Sequence, residues 1–404
     1  MYQSNLISKT RKQISQTEES LNAKILIKAG YIEQVMAGVY AYLPLGYRVI
    51  KNIENIVREE LSKISAQELL LPALQPKSYW EKTGRWDSLD VLYKFTSYYT
   101  STELALGSTH EEIITPIAKN FIQSYQDLPL AAYQIQTKFR DEKRAKSGIL
   151  RGREFIMKDL YSFHSSSADL DRYYELATQA YINIYKRLGI GDITFKTYAS
   201  GGTFSKYSHE FQTVSDIGED TIFICEKCNI AINKEIIEEQ KTCPECNNSN
   251  LIQKQSIEVG NIFKLETKYS EAFNLEFTDE KGFNKPVIMG CYGIGISRLM
   301  GTLVEVFAEN ESKMIWPESV TPFSIHLIAL NTDSEDVMRK AEELYLQIQS
   351  NNQTVLFDNR NERPGVKFAE ADLLGINKRV IISSKTLSQS GVEINGEIVK
   401  FDQI

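Results

Sequence analysis

KFRDEKRAKSGILRGREF, residues 138–155, is the stretch from which the fold is read. Between Lys138 and Arg153 it sets seven basic residues in sixteen positions, in a chain of 404 residues with a net charge of −7. Before it, LAAYQIQTKFR (Leu130 to Arg140) reads as a strand that delivers Arg140 at its end. After it, REFIMKDLYSFH (Arg153 to His164) resumes as an apolar strand. AKSGIL between them is a loop signal. The stretch is therefore a hairpin of strand, mobile basic loop and strand, with Arg140 and Arg153 at its base. A charge run is usually a solvated face. An arginine at the end of a rigid strand, however, suits bidentate phosphate binding. Lys143, Arg144, Lys146 and Arg151 on the loop can close over a polyphosphate or a nucleic-acid end.

Working outward, the chain is too long for one ordinary core, so two or three domains are expected. Hydrophobic content of 42% and charged content of 25% fit a soluble globular enzyme. No run of 18 apolar residues occurs, so no membrane span is expected. The net acidity argues against a nonspecific nucleic-acid coat but leaves room for local basic patches. The opening segment MYQSNLISKTRKQISQTEESLNAK lacks the apolar core of a secretory signal. It is Ser-rich with a few basic residues, but Glu18 and Glu19 speak against a transit peptide, so a cytoplasmic location is expected.

Apolar residues at Val49, Ile53, Ile56, Val57, Leu61 and Ile64 predict a helix with one buried face. ELLLP (Glu68 to Pro72) then reads as a short buried strand stopped by Pro72. Asp169 is read as the cap of a helix that Gly189 ends. Strands and helices alternate irregularly, which predicts α+β with an antiparallel sheet. GCYGIGISRLMGTLVE (Gly290 to Glu305) is a Gly-rich turn entering an apolar helix, with Arg298 in its first turn. After WPESVTPF (Trp316 to Phe323) a regular pattern follows, SIHLIAL, SEDVMRKAEELYLQI, TVLFD, VKFAEADLLG and RVIIS, which predicts a small α/β domain.

Four of the five cysteines form Cys225-x2-Cys228 and Cys243-x2-Cys246. That spacing matches a zinc ribbon with four cysteine ligands and argues against a secreted disulfide framework. The alternative is four reduced thiols without metal. Cys291 lies outside the pattern and is read as core.

Three pieces in order resemble the signature motifs of class II aminoacyl-tRNA synthetases: the helix and strand ending at Pro72, FRDE with its loop and REF, and GIGISR (Gly293 to Arg298). GSTHEEIITPIA, GREFIMKDLYSFH, SHEFQ, IEVGNIFKLETKYSE, MGCYGIGISR and DNRNERPGVKFAEADLLGI narrow the resemblance to the prolyl-tRNA synthetases of bacterial type, over nearly the whole chain. It implies a class II catalytic domain in two parts, 1–218 and 257–318, a small Cys-rich insert at 219–256, and an anticodon-binding domain at 319–404. It also implies attachment of L-proline to tRNA(Pro) through a prolyl-adenylate, with ATP and Mg²⁺ and a candidate structural Zn²⁺, in a homodimer.

By the same resemblance, Arg140 bridges the α-phosphate and the amino-acid carboxylate. Glu142 orients the loop or adenine, Arg151 reaches the γ-phosphate side, and Phe155 and Arg298 sandwich adenine. Gln212 and Glu258 hold ribose and a Mg²⁺-linked phosphate. Thr109 and Glu111 receive the imino group of proline, while His110 is read as structural. Met157, Tyr161 and His164 wall the ring pocket. Arg360, Glu362 and Arg363 read anticodon bases, against the alternative of a solvated loop. Many relatives carry a large editing domain between the second and third motifs. The gap here is too short for one, so no editing in cis is expected, and no further zinc domain is expected after FDQI. Two rival readings remain: a synthetase of the same class for threonine or serine, and a non-catalytic RNA-binding paralogue.

Overall fold

The computed structural model describes residues 1–14, 20–202, 204, 206–394 and 396–403. Glu18 and Glu19, and Ile404 at the end of the expected last domain, lie outside the described residues. The chain forms two compact units, one of residues 37–39 and 54–302, the other of residues 1–36, 40–53 and 303–404.

The first unit is built on a nine-stranded sheet. Its centre is the expected hairpin. Strand Leu130–Phe139 pairs antiparallel with strand Glu154–His164, with Lys138 opposite Phe155 and Phe139 opposite Glu154. Strand Ile288–Gly295 pairs with the far side of Glu154–His164, and the long strand Ile252–Glu266 pairs with it in turn. Most pairings are antiparallel, as expected; Gln67–Glu68 and Ile230–Asn233 each join in parallel.

Strands Tyr207–Val214, Thr194–Ser200, Ile230–Asn233, Asp220–Cys225 and Ile252–Glu266 pair in a closed cycle. Ile222, Ile224 and Ala231 fill it, with Phe195 and Val214 packed against them. The Cys-rich segment expected at 219–256 supplies two of these strands, Asp220–Cys225 and Ile230–Asn233. Its two strands complete the catalytic sheet, because their inward residues have no other core to bury against.

ELLLP also differs from expectation. Only Gln67–Glu68 is strand, and Leu70 is 75% exposed. Leu69 N still donates to Tyr133 O, and from Leu71 the ladder passes to side chains: Leu71 N donates to Gln134 Oε1 and Gln136 Nε2 donates to Leu71 O. Pro72 has no N–H with which to continue.

Helix Ser167–Arg187 lies on the sheet and buries Leu170, Tyr173, Ala177, Tyr181 and Ile184. Its cap is Ser166, whose hydroxyl accepts from Asp169 N; Asp169 sits within the first turn instead. On the other face, Tyr161, Phe163, Met289 and Cys291 join Ile113 and Ile114 of helix Glu111–Ala118 in one apolar cluster.

The second unit contains a five-stranded sheet in the order Val355–Asp358, Ile325–Ala329, Arg379–Ile382, Gly391–Ile394, Glu397–Lys400. The first three are parallel, linked through helices Glu335–Ser350 and Pro364–Leu374, and each segment of the expected repeat forms its element. Its N-terminal residues belong to it: Tyr2 bridges to Phe357 and His326 Nε2 meets Gln3 Oε1 at 2.9 Å. The boundary near 319 accordingly differs from the compact unit, which takes in residues from 303 onward and the chain start.

Candidate active site

Strand alternation decides which side chains can meet. On Glu154–His164, Phe155, Met157 and Asp159 project to one side and line a cavity of about 240 Å³. His164 has the opposite parity. It lies beneath the helix Ser167–Arg187, with Nδ1 2.7 Å from Asp169 Oδ2 and Nε2 2.9 Å from Ser162 Oγ. It does not wall the pocket as expected. Tyr161 has the right parity but is buried behind the lining; its hydroxyl donates to Asp159 Oδ2 at 2.8 Å and accepts from His110 N at 3.0 Å.

The cavity gathers Thr109, Glu111, Arg140, Glu142, Arg151, Phe155, Met157, Glu258 and Arg298. Arg140 follows the hairpin strand directly, and its guanidinium carbon stands 5.2 Å from the centre of the Phe155 ring. Among the described residues, no carboxylate lies within ion-pairing distance of it. Burial, then the neighbouring Arg298 charge, lower its pKa below the ordinary arginine value. Glu258, Glu142 and Glu111 act on it from beyond ion-pairing distance, which leaves its guanidinium open to an anion in the cavity.

Arg298, in the first turn of helix Ile296–Phe307, is fixed from two sides. Nε donates to Leu150 O at 2.9 Å, and Nη1 reaches Glu258 O at 2.7 Å and Glu258 Oε2 at 2.9 Å. The basic loop is held above the site by carboxylates: Arg151 meets Glu142 at 2.9 Å and Glu219 at 3.4 Å, and Lys146 meets Glu219 at 3.3 Å. Gln212 stands outside the lining, buried, with its amide donating to Glu210 and Asp220.

The other end of the cavity is acidic. Glu111, in the first turn of its helix, accepts from Thr109 Oγ1 at 2.5 Å and from Cys291 Sγ at 3.0 Å. Both carboxylate oxygens are thereby oriented. Asp159 lies beside them, 2.7 Å from Lys138 Nζ. Burial pushes its carboxyl up, but Lys138 and His110 outweigh that and hold it below its usual value. His110 accounts for its structural reading: Nε2 meets Pro72 O at 3.1 Å, and burial draws it down to about 4, so it is neutral.

Cys291, Asp159 and Phe204 also line the cavity, and none of the three is among the site residues that the resemblance implies. Cys291 reads as core from sequence; the register that puts it opposite Tyr161 is a tertiary fact.

The four remaining cysteines converge, with all Sγ atoms within 4.8 Å of one another. Cys225 and Cys246 are 3.7 Å apart, close to the roughly 3.8 Å edge of a tetrahedron with Zn–S bonds of about 2.3 Å. The donor set fits zinc. In the second unit, Glu362 and Arg363 are exposed before helix Pro364–Leu374. Arg360 is engaged, with Nη2 2.8 Å from Asp358 and 2.6 Å from Glu370, so its fork is not free for base edges in this structure.

Comparison with known proteins agrees with this geometry. Residues 93–307 match the tRNA synthetase class II core domain (G, H, P, S and T), and residues 324–396 match the anticodon binding domain. The proline–tRNA ligase of Ehrlichia chaffeensis is 39% identical over 406 positions, covering 97% of this chain and 94% of that protein. That of Dehalococcoides mccartyi is 32% identical, covering 98% and 95%, but its alignment runs over 541 positions. The longer relative thus carries well over a hundred residues that this chain lacks. The prolyl-tRNA synthetase of Giardia lamblia, solved with prolyl-adenylate, shares the fold with a TM-score of 0.76 at 17% identity, over 95% of this chain and 73% of that one.

Proposed function

The chain belongs to the proline–tRNA ligase family of class II aminoacyl-tRNA synthetases, and from that footing we propose that it joins L-proline to tRNA(Pro) through a prolyl-adenylate. The observation that carries this reading is the pairing, in one cavity, of an Arg140 that lacks a counter-ion among the described residues with an oriented carboxylate at Glu111. A zwitterionic amino acid needs both charges, and a phosphate ester needs the first.

In the first step the proline carboxylate oxygen attacks the α-phosphorus and the bond to the leaving pyrophosphate breaks. No protein nucleophile is needed; positioning and charge stabilisation supply the rate. Arg140 holds the carboxylate against the α-phosphate. Phe155 and Arg298 take the adenine between them, and Arg151 turns from Glu142 and Glu219 to the γ-phosphate side. Thr109 and Glu111 receive the secondary ammonium, and Met157 lies along the ring. Mg²⁺ offsets phosphate charge when bound, and Glu258 is the carboxylate that would hold it. In the second step the adenylate passes proline to the terminal ribose. Glu362 and Arg363 are the free anticodon contacts of the second unit; Arg360 contributes once released from Asp358 and Glu370.

The four-cysteine cluster holds a structural zinc. The exposed edge at Gln67–Glu68 with Leu70 supports a homodimer. No helix among the described residues is long and apolar enough to cross a membrane, and a cytoplasmic site of action goes with this reading.

ATP–pyrophosphate exchange with purified protein tests the proposal, with proline, alanine, cysteine, threonine and serine each offered alone. Strong exchange with proline supports it. Exchange led by threonine or serine keeps the class and overturns the substrate. Exchange with none overturns the enzyme reading in favour of an RNA-binding paralogue.

A further inference from the structure

Behind the acidic end of the cavity lies a buried arginine that no motif marks. Arg85 follows Gly84, whose φ of 68° turns the chain into the short helix Arg85–Ser88. It is 4% exposed and does not itself line the cavity. Its Nη1 stands 2.9 and 3.2 Å from the two oxygens of Glu112, 3.0 Å from Tyr269 Oη and 3.6 Å from Glu111 Oε2. The guanidinium carbon is 4.8 Å from the centre of the Phe204 ring and 5.2 Å from that of Trp80.

Two of these neighbours, Glu111 and Phe204, do line the cavity. One cation thus stands behind two consecutive buried carboxylates and one aromatic wall. Two adjacent carboxylates out of water repel each other, and without a counter-charge one of them takes a proton or turns away. Glu112 has Arg85 and the Thr83 hydroxyl as partners, at 2.9 Å each. Glu111 keeps its oxygens for Thr109, Cys291 and the cavity. All of these polar contacts come from Nη1, while the guanidinium stands over the Trp80 and Phe204 rings, so one planar group serves carboxylates at its edge and aromatic rings at its faces.

We propose that Arg85 is a positioning residue for the amino-acid substrate: by pairing Glu112 and standing against Glu111 and Phe204, it fixes the anionic anchor that receives the ammonium of proline. The proposal rests on the reading of Glu111 as that anchor.

The test is ATP–pyrophosphate exchange with the full chain, measuring KM for proline and for ATP separately, beside thermal melting. Arg85→Met with Glu112→Gln removes both buried charges together, so neither is left unpaired. Arg85→Lys keeps the charge but loses the planar group that stands over the Trp80 and Phe204 rings. Misplacing a substrate contact by about an ångström costs up to about a hundredfold, so the double variant should raise the proline KM at least about tenfold. Arg85→Lys should raise it severalfold, with the ATP KM of both unchanged.

A proline KM restored to the parent value in the double variant overturns the proposal, because Arg85 then only neutralises Glu112. Proline and ATP KM rising together in Arg85→Lys also overturns it, as would a general collapse of the fold. Glu111→Gln separates the two layers. If it leaves the proline KM unchanged, the anchor reading itself fails; if it raises the proline KM while the Arg85 variants do not, only the role of Arg85 fails.

Discussion

Lys138 and Asp159 meet at 2.7 Å on neighbouring strands of the central hairpin, both buried. Lys138 lies two residues after Gln136 on one strand, and Asp159 faces Gln134 across the ladder. Their pairing gives the acidic end of the cavity, which Asp159 lines, a fixed charge pattern. Removing one partner of a buried pair strands the other. Lys138→Met should therefore cost about 3–5 kcal/mol in urea denaturation, and adding Asp159→Asn should recover most of it. A loss below about 1 kcal/mol in the single variant would mean that Asp159 is satisfied by Gln134 and Tyr161 alone.

Arg140 has no internal counter-ion among the described residues, so its loss should spare stability and strike the reaction. Arg140→Ala should lower the rate of proline-dependent exchange by about 10²–10³ with an unchanged melting temperature. Arg140→Lys should recover little, since a point charge cannot bridge two anionic groups as a fork does. A variant within threefold of the parent would remove Arg140 from the site.

The hairpin was legible because its strands are long and its basic loop is bracketed by arginines. The C-terminal repeat was legible because strand and helix periods alternate there without interruption. His164 was misplaced for want of one step: counting parity from Met157 puts it on the far face. Arg85 could not be found this way. Its helix is a single turn, and nothing in TGRW (Thr83 to Trp86) says that Glu112 and Phe204 will close on it. Cys291 and the sheet role of the Cys-rich segment likewise depend on register between distant strands, which local pattern does not carry.

His326 offers a clean pH probe, in a different unit from the catalytic cavity. Burial holds its pKa at about 3, well below 6.5. The folded state therefore keeps it neutral where the unfolded state takes a proton. Its contribution is fully present above about pH 6.5 and is lost as pH falls toward 3, with a slope of at most about 1.4 kcal/mol per pH unit. His326→Gln should be less sensitive to acidification between about pH 6.5 and 4.5 in denaturant unfolding. Parallel curves for parent and variant would show that the ring is protonated in the fold.

Alanine is smaller than proline, and a pocket rejects it by only about 1–3 kcal/mol. The longer relatives carry residues that this chain lacks between comparable ends. The purified chain should therefore form some alanyl-tRNA(Pro) and leave it intact. Deacylation of preformed alanyl-tRNA(Pro) well above the uncatalysed rate would reveal a hydrolytic centre in the chain itself.

The four-cysteine cluster, whose donor set fits zinc, stands at one end of a strand pair of the catalytic sheet. Cys225 ends the strand Asp220–Cys225, and Asn233 ends its partner strand and donates to Glu210 at 2.9 Å. Asp220, at the other end of the first strand, accepts from Gln212 at 2.8 Å. A tetrathiolate zinc would pin the far end of this strand pair, and binding free energy at such a site is folding free energy. Metal analysis should find about one zinc per chain. Chelation, or Cys228→Ser, should lower the melting temperature of the first unit and loosen amide protection along Asp220–Asn233 before the hairpin Leu130–His164 responds. If the chain takes up no zinc when refolded with it, and Cys228→Ser melts with the parent, the four thiols are packing residues and the strand pair stands on Ile222, Ile224 and Ala231 alone.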